Sequence, residues 1–294
     1  MKWPRAGLVR PHLLALLAGT DAAGRMRGDP VELPHRYREQ LDVEVSALLS
    51  AALAYGRVDL FKPRLAELLD GLGPHPGRTA RDLAPRELLE RTRGFSYRMT
   101  DGRDVACLLH GAGQIARVHG TLGAAFVAHH RRLGGDTVRE ALGAFVDDLL
   151  APDFRPITGA RTREPTRRLK FLLAHPARGS ACKRLNLFLR WMIRPADGVD
   201  FGLWDVPASA LVIPLDTHVH RIGGFIGLTR RKDLSWRTAA EITGRLRALD
   251  DDDPVRFDFA LSHLGISGSC PSRRDERKCA GCPLRPICRH WVTV

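Results

Sequence analysis

Gly179-Ser180-Ala181-Cys182-Lys183-Arg184-Leu185-Asn186 runs directly into Leu187-Phe188-Leu189-Arg190-Trp191-Met192. The first part reads as a turn of small residues and the second as an apolar helix. Lys183 stands at the junction. The positive end of the helix dipole lies there and disfavours a protonated side chain. A lysine that is also desolvated becomes a nucleophile. The plainer readings of the same residue are a solvated lysine or a phosphate contact. The chain holds six Lys against 40 Arg, so a lysine at this junction stands out.

Downstream lies Pro214-Leu215-Asp216-Thr217-His218-Val219-His220-Arg221. An Asp before a Thr at the head of an apolar helix is first of all an N-cap. Between the two segments, residues 195–207 carry Gly198, Phe201, Gly202 and Trp204. Farther on, Cys270, Cys279, Cys282 and Cys288 give the spacing C-x8-C-x2-C-x5-C. Four thiolates so close together can enclose one metal centre. Structural zinc ribbons usually show two close pairs, whereas this set has one pair and two singles. A four-cysteine iron–sulfur site tolerates that spacing. The spacing therefore favours a [4Fe–4S] cluster, with zinc as the alternative. Arg273, Arg274, Arg277 and Lys278 crowd the loop, where they offset thiolate charge and are available to a phosphate.

The rest of the chain reads as helices. Apolar spacing predicts helices over Gln40 to Tyr55 and Val58 to Leu72. Asp136 reads as an N-cap before a face of Val138, Ala141, Leu142, Phe145, Val146 and Leu149. Ser235 caps a helix through Leu249, and Asp253-Pro254 opens another. Leu13 to Ala18, after a basic start, loosely imitates a secretory signal but reads as a first helix. No alternating run bounded by hairpin turns occurs, so no sheet is expected. The fold class expected is all-α.

The length of 294 residues suggests one large or two modest domains. A hydrophobic share of 44% and a charged share of 27% exclude a disordered chain. No apolar run approaches the roughly 18 residues of a membrane span. Lys plus Arg exceeds Asp plus Glu, 46 against 33, for a net charge of +13. Part of this is an Arg-rich composition. The surplus still favours a polyanionic partner, nucleic acid first and an anionic membrane surface second. Sparse cysteines with one metal-type cluster argue for a reducing, cytoplasmic setting.

Taken in order, the Gly179–Lys183 turn, the Asp216-Thr217-His218-Val219-His220-Arg221 segment and the four cysteines resemble the endonuclease-III-like superfamily of helix-hairpin-helix DNA glycosylases. That family carries a catalytic Lys on a Gly-rich hairpin, then a catalytic Asp in "V-D-T-H-V-x-R", then an iron–sulfur loop. Ala47-Leu48-Leu49-Ser50-Ala51-Ala52 is similar to its early helix "L-L-S-A-Q", with Ala52 where the family has Gln. The run from Gly179 to Arg221 looks closest to a bacterial branch known as a domain of unknown function, which brings no substrate. The chain departs from the family in three places. The hairpin has one Gly for the family's two, the Lys-to-Asp interval is longer, and the first cysteine spacing is C-x8-C for C-x6-C.

The resemblance implies a two-lobed fold. Residues 41–224 would form a helical barrel lobe, with the hairpin at 179–194 and the insertion at 195–207 looping out near the active site. Residues 1–40 and 225–294 would form the second lobe with the cluster loop. It implies a base-excision DNA glycosylase, with or without abasic-site lyase activity, acting on double-stranded DNA through Lys183 and Asp216. Gly179, Ser180, Arg184, Arg221, Arg273, Arg274, Arg277 and Lys278 would contact DNA. Tyr55, Arg57, His218 and Trp204 are candidates for the base pocket or the duplex gap. The competing expectation is a non-catalytic iron–sulfur protein that binds or senses damaged DNA, with Asp216 only a cap.

Overall fold

The Gln40–Ala52 helix is buried along almost its whole length, because small and branched apolar residues make up most of it and its buried Asp42 and Glu44 are hydrogen-bonded. Helices can therefore pack on it from several directions. The Pro76–Asp82, Gly102–His119 and Lys183–Ile193 helices do so. The Leu122–Leu133 and Arg139–Leu150 helices pack on each other and on Gly102–His119. The computed structural model describes residues 6–292, and the basic start at residues 1–5 lies outside them. A second group joins distant parts of the chain. The Ala6–Ala18 and Ala22–Met26 helices pack on Asp258–Ile266, which also packs on Thr217–Phe225. The molecule is mostly helical, and no described helix is long and apolar enough to cross a membrane.

Local signals placed most elements. Val58–Leu72 is helical as its periodicity predicts. Val138, Ala141, Leu142, Phe145, Val146 and Leu149 are all buried. Ser235 caps Trp236–Arg247 by accepting from the Thr238 N–H. Three expectations are corrected. Asp136 is not the cap: the helix starts at Arg139 with Val138 as its uncapped N-cap. Asp253-Pro254 leads into turns, and the helix begins at Asp258. A small hairpin does exist, pairing Ser96–Tyr97 with Thr100–Asp101. Arg98 takes φ +52° in its tight turn, and Asp101 then caps Gly102–His119, so the pairing stops after two residues per strand.

The insertion at 195–207 is the largest correction. It does not loop out beside the cleft. It folds back along the Lys183–Ile193 helix, where the Phe201 N–H donates to the Trp191 carbonyl at 2.7 Å and the Trp204 N–H to that of Met192 at 3.0 Å. Trp204 is buried and does not line the cleft that holds Lys183 and Asp216. Its ring lies 5.2 Å from Phe126 and 5.2 Å from Phe188, and its Nε1 donates to Glu44 at 2.8 Å. Glu44 is a fully buried carboxylate that also accepts from the Leu122 and Gly123 N–H groups heading the next helix. Burial raises its pKa against these bonds. Trp204→Ala would leave a cavity and take a donor from a buried carboxylate. The expected loss is about 3–5 kcal/mol, read by denaturant unfolding.

Candidate functional site

Two helix starts and one helix end build the site. The Gln40–Ala52 helix ends with its last carbonyls facing the first turn of Lys183–Ile193. Lys183 Nζ donates to the Ala54 carbonyl at 3.3 Å and Arg184 Nη1 to that of Ala52 at 3.0 Å. Two cations thus meet the negative end of a helix. Cys182, the residue before Lys183, is buried at φ +48°. That left-handed backbone costs a non-glycine residue roughly 1–2 kcal/mol. Its thiol donates to the Ala174 carbonyl at 3.1 Å. The Trp236 N–H holds the turn from the other side, through the Gly179 carbonyl at 2.9 Å. The turn before Lys183 is therefore braced by two neighbouring segments.

Asp216 is the N-cap of Thr217–Phe225, accepting from the Val219 N–H at 2.7 Å through Oδ1. Lys183 and Asp216 are half-buried and line one cleft of about 1510 Å³, open to solvent. Tyr55, Arg57 and His218 line it too. The Tyr55 hydroxyl is engaged with Thr100 at 2.7 Å, and Arg57 is exposed and paired with Asp59. Five of the sequence-nominated residues are thereby brought together. Trp204 is not among them.

The nominated DNA contacts divide. Gly179, Arg273, Arg274, Arg277 and Lys278 are exposed, and Ser180 is half-buried. Arg184 is spent internally: its guanidinium lies 4.2 Å from the Phe171 ring centre and donates to the Ala52 and Phe171 carbonyls. Burial pulls its pKa down to about 10. Arg221 donates to the Cys270 carbonyl at 2.8 Å. Both hold segments together where sequence reasoning expected a phosphate.

Sequence reasoning missed another carboxylate of the cleft, Asp258. It is 2% exposed, and Arg190 Nη1 donates to its Oδ2 at 2.7 Å. Arg190 is equally buried, and its Nε and Nη2 donate to Asp200 Oδ1 at 3.1 and 3.0 Å. Burial pushes the Asp258 carboxyl up to about 6, against the pull of Arg190. The signal was present in the chain: Arg190 is a charge inside an apolar run, and a buried charge requires acidic partners.

All six cysteines are free thiols. Cys270, Cys279, Cys282 and Cys288 line a single cavity of about 380 Å³, counting its open side. Ile222 and Phe225, from the helix that Asp216 caps, supply an apolar wall. Arg274 and Arg285 each lie 4.0 Å from the Trp291 ring centre and clasp the loop. Among the described residues, no three His, Cys, Asp or Glu side chains already sit as a set that could hold a metal ion. The donor chemistry nonetheless fits a thiolate-ligated metal centre. Burial raises the Cys270, Cys282 and Cys288 thiols, Cys270 to about 11, and neighbouring thiols push in the same direction. A cationic centre reverses that repulsion, and the thiols shed their protons on ligation.

No curated protein matches the chain. The family model described as Protein of unknown function (DUF2400) matches residues 29–267, most of the chain, and the protein therefore belongs to that family.

Proposed function

We propose that this protein is a helix-hairpin-helix DNA glycosylase with abasic-site lyase capacity, acting on a nucleotide flipped out of duplex DNA. The observation that carries the reading is the sharing of one cleft by Lys183 and Asp216, in the order and motif context of that superfamily. Asp216 keeps Oδ1 on its helix and turns its remaining charge to the positive deoxyribose that develops as the base departs. The Lys183 amine attacks the sugar carbon C1′ and forms a Schiff base. β-Elimination then nicks the strand. Residues 41–224 form one lobe, and residues 1–40 with 225–294 form the other.

The four cysteines hold a [4Fe–4S] cluster in this reading, with zinc as the alternative. When bound, the cluster ties the basic loop of Arg273, Arg277 and Lys278 to the helix that Asp216 caps. The loop's cations then reach DNA phosphates, which makes binding weaken steeply with salt. Cys282→Ser is expected to purify with little iron or sulfide and without the brown colour of the wild type, and to bind duplex DNA more weakly. Metal and sulfide analysis checks this, and a colourless wild type with one zinc per chain would replace the cluster with zinc.

The test of the activity is incubation with a duplex carrying an abasic site under borohydride. The expected result is a covalent protein–DNA adduct. An absence of adduct, together with no base release from a panel of damaged duplexes, overturns the reading.

A further inference from the structure

We propose that Asp258 is the group that takes the proton from Lys183, and that the inserted segment governs it through Asp200 and Arg190. This rests on the assignment of Lys183 as the nucleophile. Asp258 Oδ2 is held by Arg190, but Oδ1 is buried without any hydrogen-bond partner. A buried carboxylate oxygen left unpaired costs on the order of 1–3 kcal/mol, and a proton arriving from the cleft would satisfy it. Asp258 lines the same cleft as Lys183 and Asp216, and both lie near enough to act electrostatically on it. Asp216 Oδ1 is committed to its helix cap, whereas Asp258 Oδ1 is a buried carboxylate oxygen of the same cleft with no such commitment.

The groups bearing on Asp258 come from every surrounding element. Lys183 and Arg190 extend from one helix and Asp216 from another, with Asp200 behind Arg190. Asp29 faces the cleft from the N-terminal side, and its Oδ2 is paired with His263 at 3.1 Å. Burial pushes Asp29 up, but the His263 and Val31 hydrogen bonds outweigh it and keep its pKa low, so it remains charged and occupied. His218 turns toward Arg221, 3.5 Å away. Outward from Asp200 the chain of ions continues to Arg194, which also pairs with Asp197 and Asp253. The 195–207 segment therefore reaches the cleft through Asp200 and the single guanidinium of Arg190.

On an abasic site the opened sugar presents a C1′ aldehyde. The Lys183 ammonium gives one proton to the Asp258 carboxylate. The freed amine adds to the C1′ aldehyde, forming the N–C bond while the carbonyl electrons move to oxygen. One nitrogen proton passes to that oxygen. Asp258 returns its proton, water leaves, and a protonated imine remains.

The test is the rate of cyanoborohydride-trapped adduct formation on an abasic-site duplex across pH. Asp258 must be ionised to accept the proton, so the wild-type rate is expected to fall as pH drops through about 6. Asp258→Asn keeps an oxygen for Arg190 but no acceptor for a proton. Its rate at neutral pH is expected to fall by roughly 10²–10⁴, and to climb with pH without a break at 6. Asp200→Asn leaves Arg190 to act on Asp258 alone, and the break should move to lower pH. An Asp258→Asn profile that overlays the wild type overturns this inference while the lysine assignment stands. If that variant does not fold, a wild-type rate unchanged across pH 6 overturns it. No wild-type adduct at any pH contradicts the lysine assignment itself.

Discussion

Lys183→Ala is expected to form no borohydride-trapped adduct with abasic DNA, while its affinity for the same duplex changes little. Among the described residues, Lys183 is the only lysine lining the cleft, so its removal takes away the one lysine amine they offer there for an imine. The structural cost is small. The side chain is half-buried and makes one hydrogen bond, to the Ala54 carbonyl, worth about 1 kcal/mol. Arg184 still ties the end of Gln40–Ala52 to the same helix turn through Ala52. Gel analysis of the trapped product beside a binding titration separates the two effects. An adduct of undiminished yield in the variant would move the nucleophile elsewhere.

Asp216→Asn is expected to slow base release by roughly 10²–10³, the scale for losing one electrostatic contact to a charge that develops in the transition state. Folding should be nearly unaffected. Asn and Asp are equally good N-caps, so the side-chain oxygen can still accept from the Val219 N–H. What disappears is the negative charge. The fold and the chemistry can therefore be separated at one residue, by measuring unfolding and single-turnover base release on the same preparation. A variant that loses stability but not rate would make Asp216 only a cap.

Features encoded in a few neighbouring residues were legible before the structure. The buried face from Val138 to Leu149 follows from 3.6-residue spacing, and the Asp216 and Ser235 caps follow from residue type and position. Lys183 stands out from its own local context, whereas the local context of Asp216 reads only as a cap and its catalytic role comes from the family resemblance. What was not legible depends on partners far along the chain. Trp204 sits in a segment rich in Gly and Asp, which reads as exposed, yet its indole N–H finds a buried carboxylate 160 residues away. Arg184 reads as a surface cation because nothing nearby announces that two carbonyls will surround it. Asp258 carries no local motif, and only its junction with Arg190 and the cleft gives it meaning.

The most direct measurement is to locate the covalent bond. The borohydride-reduced adduct of the wild type with an abasic duplex would be digested with trypsin and the DNA-linked peptide sequenced. The account predicts the peptide from Gly179 to Arg184, left uncut at a modified Lys183. A link at any other lysine, or at the N-terminal amine, would contradict it.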